Sequence, residues 1–179
     1  MRIPMILAAA AALALSACDT PRLLSINPAV TESETVFDQT LVGTWGTKDG
    51  AEFCSLRPNA DTNTYTVTYV SDGDSRKFEG RLFQAGQARV MDLTPQDQDD
   101  FQIPGHALIR ILSSGDTLRW TYLDSDWLRQ RGAAELPNHP RGGGKLLLSA
   151  PSDRLAAFLA TYAADERAHG DIQEWQRLQ

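Results

Sequence analysis

The chain has 179 residues, 42% of them hydrophobic, a net charge of −6 and two cysteines. That length suits one domain with a targeting segment, or one larger domain. The acidic balance excludes the clustered Lys and Arg of a nucleic-acid binder, two cysteines exclude a disulfide scaffold, and a mean hydropathy of −0.32 excludes a multi-span membrane protein.

Residues 1–17, MRIPMILAAAAALALSA, carry a single charge, Arg2. A basic start, an apolar run from Met5 to Leu15 and small residues after it have the layout of a secretory leader. The run is too short for a bilayer, which needs roughly 20 residues. Leu15-Ser16-Ala17-Cys18 resembles the lipobox of bacterial lipoproteins. That resemblance implies cleavage before Cys18 and acylation of its sulfur and amine. The acyl chains would hold a peripheral domain on the membrane, facing the periplasm, since two or more chains give stable anchoring. Asp19 directly after the cysteine resembles an inner-membrane retention signal. With Cys18 acylated, Cys54 has no intrachain partner and reads as a small buried hydrophobe in a strand.

Loss of the leader removes one Arg and no acid, so the charge moves from −6 to −7 over 162 residues. Residues 18–40 lack sustained periodicity. Pro21, Pro28 and a Thr/Ser/Glu mixture predict an extended tether after the lipidated cysteine, with Val36 and Phe37 as a short lead-in. Residues 41–179 then form the domain.

From Leu41 the pattern is β. Strands are predicted over 41–47, 51–57, 64–70, 76–84, 87–93, 106–112, 117–123 and 145–149. Tyr65, Val67 and Tyr69 alternate with Thr64, Thr66 and Thr68, and Leu118, Trp120 and Tyr122 alternate with Thr117, Arg119 and Thr121. Turn residues such as Asp72-Gly73-Asp74 and Ala85-Gly86 join them, and short joints force antiparallel pairing. The expected fold is mainly β: an eight-stranded antiparallel up-and-down barrel with a C-terminal helix. A β-sandwich is the alternative.

Two helices interrupt the strands. Ser125 can cap a short one over 126–134. Residues 135–144 are a loop rich in Pro and Gly. Ser152 can cap a longer one over about 152–168, whose Leu155, Phe158, Leu159 and Tyr162 share one face that should dock outside the sheet. The tail 170–179 is polar apart from Ile172, Trp175 and Leu178, and continues as helix or frays.

Gly43-Thr44-Trp45 at the first strand resembles the G-x-W signature of the lipocalins, within the calycin group. The resemblance implies that Trp45 plugs the closed end of the barrel and that Gly43 permits a close approach. It also implies an arginine packed over the tryptophan near the end of the last strand. Arg154 lies near that place, though in a helix start. The open end of such a barrel can hold a small hydrophobic or amphipathic ligand. Phe78, Leu82, Trp120 and Tyr122 are the inward residues that would line a pocket or fill the interior.

No catalytic set can be assembled. His106, His139 and His169 lack metal-ligand spacing, and no metal or cofactor is expected. Asp97-Gln98-Asp99-Asp100 departs from a calcium loop at Phe101 and Gln102. Gly142-Gly143-Gly144-Lys145 lacks the Ser or Thr and the upstream glycine of a phosphate loop, and reads as a hinge. Asp124 and Asp126 are either a carboxylate pair beside a stacking Trp127, or a cap and a dipole partner for the short helix, with Trp127 sealing the barrel. A hydrolase built on Asp124, Asp126 or His106 is the enzymatic alternative to a non-enzymatic binding protein. A structural or partner-binding envelope lipoprotein is the other.

Overall fold

The computed structural model describes residues 23–59, 61–96, 105–113 and 115–178. In chain order its strands and helices are β1 (Leu23–Ser25), β2 (Gly43–Gly46), β3 (Glu52–Asn59), β4 (Thr64–Ser71), β5 (Asp74–Ala85), β6 (Ala88–Pro95), β7 (Ala107–Ser113), β8 (Thr117–Tyr122), α1 (Ser125–Arg131), β9 (Asn138–Arg141), β10 (Lys145–Leu148), α2 (Ser152–Tyr162) and β11 (Gln173–Leu178). Strands β2 to β8 follow one another as an antiparallel meander. β11 pairs with β8 on one side and β2 on the other, which closes an eight-stranded barrel. Closure leaves neither face of a second sheet to stack, so the fold is the lipocalin-like barrel and not a sandwich.

The eighth barrel strand is β11 and not the expected 145–149. Residues 145–148 do form a strand, but it joins a separate three-stranded sheet in the order β1-β10-β9. The tail expected as helix or frayed end is thus the closing strand. Trp175 alone among its six residues is buried, so the segment carries almost no alternating apolar signal. Its backbone bonds to two neighbours set its conformation instead.

The small sheet and both helices cover the outer wall of β5 to β7. Outward-facing Phe83, Val90 and Leu108 join Leu23, Leu128, Leu146, Leu148, Leu155 and Leu159 in one buried cluster. Each large aliphatic side chain buried there is worth about 1.5–3 kcal/mol. From Leu23 onward the segment expected as a free tether packs into this cover: Leu23, Ala29 and Val30 are buried. Within the Pro/Gly-rich 135–144 stretch, β9 lies at the edge of its sheet, where Pro140 costs no central ladder bond.

Helix α1 is capped by the Asp124 carboxylate, which accepts from the amides of Asp126 and Trp127, rather than by Ser125. Helix α2 stops at Tyr162, short of 168. Asp165 there accepts from the Arg167 amide and starts a separate turn over Glu166–Ala168. Leu155, Phe158 and Leu159 face the barrel as expected. The docking is close. At Gly86 (φ +58), between β5 and β6, an added Cβ would collide with the carbonyl oxygen of Ala160.

Candidate functional site at the open end of the barrel

The two ends of the barrel differ. At one end, residues 36–41 lie across the strand ends. The Val36 amide donates to the Leu82 carbonyl (2.8 Å), the Asp38 amide to the Tyr65 hydroxyl (2.7 Å), and that hydroxyl back to the Asp38 carbonyl (3.0 Å). Asp38 also pairs with Arg89. Burial raises the Asp38 pKa, but the Thr40 hydroxyl and amide together with Arg89 outweigh it, and the net shift is downward. Beneath this strap Trp45 is fully buried, its indole N–H donating to the Leu41 carbonyl (2.9 Å).

Away from this end the inward side chains become progressively more accessible. Along β4, Tyr65 and Val67 are buried and Tyr69 is half-buried. On β5, Leu82 is buried and Phe78 half-buried; on β6, Met91 and then Leu93 follow the same order. β7 passes from Ile111 to Ile109, and β8 from Leu118 to Trp120 and Tyr122. Five strands therefore open in the same direction, and their half-buried residues form an apolar, aromatic mouth. Ile172, half-exposed, stands just before β11 at that rim. The segment holding it is tied down by the Thr121 hydroxyl, which donates to the carbonyls of Gly170 (3.0 Å) and Asp171 (3.2 Å).

The aromatic rings make a connected wall. Trp175 stacks on Tyr69 (6.1 Å, 6°) and meets Trp120 edge-on (5.4 Å, 85°); Trp120 meets Tyr122 edge-on (5.0 Å, 88°). Such contacts fix ring orientation and add about 0.5–1.5 kcal/mol per pair. Glu52, at the start of β3, supplies a carboxylate on this rim, accepting from the hydroxyls of Tyr69 and Ser71 (3.4 Å each).

The mouth is shallow. Gly80 faces inward midway along β5, and a Cβ there would lie 3.1 Å from Val67, 3.2 Å from the Met91 sulfur and 3.4 Å from Leu93. Even one added methyl would be tight at that depth. Below it, Trp45, Tyr65, Leu82 and Met91 pack as one buried cluster.

Of the residues nominated from sequence, Phe78, Trp120 and Tyr122 come together at the mouth. Leu82 does not: it is fully buried in the filled half. Gly43 and Trp45 lie at the strapped end. Tyr69, Leu93, Ile109 and Trp175 also belong to the mouth. The Tyr65/Val67/Tyr69 alternation carries a signal for Tyr69, whereas Trp175 becomes legible only once β11 is known to be a strand. Cys18 and the Asp97–Asp100 run fall outside the described residues. Cys54 is buried inside the barrel, and burial pushes its thiol up to about 12, so it remains a neutral hydrophobe.

The arginine over Trp45 is Arg177, not Arg154. The Arg154 guanidinium bonds the carbonyls of Ala134 and Glu135 beside the helices. The polar residues weighed for catalysis have separate structural partners. His106 bonds the buried Asp92 (2.7 Å), whose other oxygen accepts from the Ala29 amide (2.8 Å) and ties the N-terminal segment to β6. Asp124 is a helix cap and Asp126 pairs with Arg129 on the same helix. Trp127 does not seal the barrel but packs on Phe158 and Tyr162, with the Arg131 guanidinium 4.4 Å from the centroids of both Trp127 and Tyr162. The three glycines 142–144 form the turn between β9 and β10. Among the described residues, no helix is long and apolar enough to cross a membrane. Comparison with protein-family profiles, with curated proteins and with solved structures finds no match to this chain.

Proposed function

We propose that the protein is a lipid-anchored component of a bacterial cell envelope that binds a small hydrophobic or amphipathic molecule at the open end of its barrel. The observation that carries the ligand reading is the shared direction in which the inward residues of β4 to β8 become accessible. The tight packing around Gly80 limits the ligand to a short apolar group inserted no deeper than Leu93. The Glu52 carboxylate suits a polar head that donates hydrogen bonds, which favours an amphipathic ligand over a pure hydrocarbon.

Anchoring rests on Leu15-Ser16-Ala17-Cys18, with the domain in the periplasm and Asp19 favouring the inner membrane. A net charge of −7 without the leader gives the domain no attraction to anionic lipid, so attachment falls to the acyl chains. Metabolic labelling with an alkyne fatty acid tests this part: label lost in Cys18→Ala supports it, and label retained contradicts it.

The test of the ligand reading is displacement of a fluorescent amphiphile. Saturable binding that Trp120→Ala weakens supports it. No saturable binding by the folded wild type contradicts it, and supports the second reading, a structural or partner-binding lipoprotein, which the filled lower half of the barrel favours.

A further inference from the structure

Outside the barrel, β2 to β5 turn a different chemistry toward solvent. Thr44, Phe53, Ser55, Arg57, Thr66, Thr68, Lys77 and Gln96 line a depression of about 550 Å³, within the size range of small-ligand sites. These residues alternate with the inward Trp45, Cys54, Leu56 and Val67, so the depression is separate from the mouth.

Register orders the lining. Thr44 lies opposite Ser55, Ser55 opposite Thr68 and Thr68 opposite Lys77, a hydroxyl row across four strands that ends in an ammonium. Strand spacing makes that row about 14 Å long. Arg57, opposite Thr66, flanks the row on one side, and Phe53 flanks it on the other. Among the described residues, no carboxylate lines the depression. The nearby Glu79 is held by Arg81 at 2.8 Å. Arg57 and Lys77 form no ion pair among the described residues. Both side chains are exposed, which leaves two cationic groups free to meet a ligand at one depression.

We propose that this depression binds an anionic saccharide, a carboxylated sugar chain of two or three rings. The hydroxyl row and Gln96 match ring hydroxyls, Phe53 offers a flat apolar surface to a ring face, and Arg57 can take a carboxylate in a forked pair. An extended peptide fits less well. The backbones of β2 to β5 are already paired on both sides, so no strand can be added, and backbone bonds would go unmade.

The test titrates the full-length protein with a galacturonic acid trisaccharide, a neutral glucose trisaccharide and a glutamate peptide of equal charge, read by calorimetry and amide NMR shifts. The acidic sugar binds, shifts the amides of Thr44, Ser55, Thr68 and Lys77, and is weakened about tenfold by Arg57→Gln, as loss of one charge-assisted pair implies. The exposed charge of Arg57 is not needed for folding, and an unchanged melting temperature verifies this. Trp120→Ala leaves the sugar affinity unaltered, which separates this site from the mouth. Absence of binding at millimolar sugar, equal binding of the glutamate peptide, or indifference to Arg57→Gln overturns the proposal.

Discussion

The guanidinium of Arg177 lies over the indole of Trp45, its central carbon 4.0 Å from the ring centroid. The two residues are also direct cross-strand partners, Arg177 on β11 and Trp45 on β2. From there Arg177 donates to the carbonyls of Val42 and Thr40 (2.9 Å each), so one side chain joins the closing strand, the buried indole and the strap beneath it. Gly43 makes room for it. Its φ of +144° is one that other residues rarely adopt, and a Cβ there would collide with the guanidinium.

Arg177→Ala should therefore loosen the strapped end and the barrel seam together. Two short hydrogen bonds, two longer ones to the Gly115 carbonyl (3.3 and 3.4 Å) and a cation–π contact, discounted for the guanidinium's exposure, amount to about 1–2 kcal/mol. Urea unfolding measures the loss. Arg177→Lys should recover only part of it, because an ammonium cannot reach both carbonyls and cover the ring at once. Full recovery by lysine would show that charge alone matters.

A methyl at Gly80 tests how completely the barrel is filled. Gly80→Ala should cost about 1–3 kcal/mol through overpacking against Val67 and Met91. A neutral or stabilising effect would reveal unfilled space at mid-depth, and with it room for a deeper ligand.

The buried Asp92 holds the N-terminal segment to the barrel wall through Ala29 and His106. Asp92→Ala removes the acceptor of the buried Ala29 amide and leaves the His106 Nδ1 only the Thr94 hydroxyl (3.1 Å), and should cost about 1–3 kcal/mol. Limited proteolysis should then cut near residues 23–30 before the barrel unfolds. Cleavage first within the barrel would contradict the role assigned to Asp92.

Burial lowers the pKa of His169 below its ordinary 6.5, against the counter-pull of its bond to the Ala163 carbonyl (2.9 Å). Its unfolded form takes up a proton at higher pH than its folded form does. The stabilisation is complete above pH 6.5 and falls as pH drops from 6.5 through the folded value. Asp38 and Asp165, both held low in the fold, extend the loss to lower pH, Asp165 down to about 2. His169→Gln should flatten stability just below pH 6.5 and leave the steeper acid limb intact. An unchanged slope in that window would place the titrating group elsewhere.

The strands β2 to β8 were legible because each has a buried face that alternates with solvent or cover, as Tyr65-Thr66-Val67-Thr68-Tyr69 does. β11 was not, because its inward positions at the two barrel ends are Gln173, in the open rim, and Arg177, in the seam. Neither is apolar, and only Trp175 between them reports the interior. The same gap hid the partner of Trp45: the arginine that fits lies on a strand the pattern does not reveal. Phe78, Trp120 and Tyr122 were legible as inward residues. Their depth was not, because depth depends on barrel register rather than on alternation.

The central claim, a shallow amphiphile site at the open end, is tested most directly by amide and side-chain NMR shifts during titration with a short-chain amphiphile. The account predicts saturable shifts at Tyr69, Phe78, Leu93, Ile109, Trp120 and Tyr122, with Leu82 and Trp45 unmoved. Shifts centred on Leu82 and Met91, shifts confined to the outer wall, or none at saturating amphiphile would contradict it.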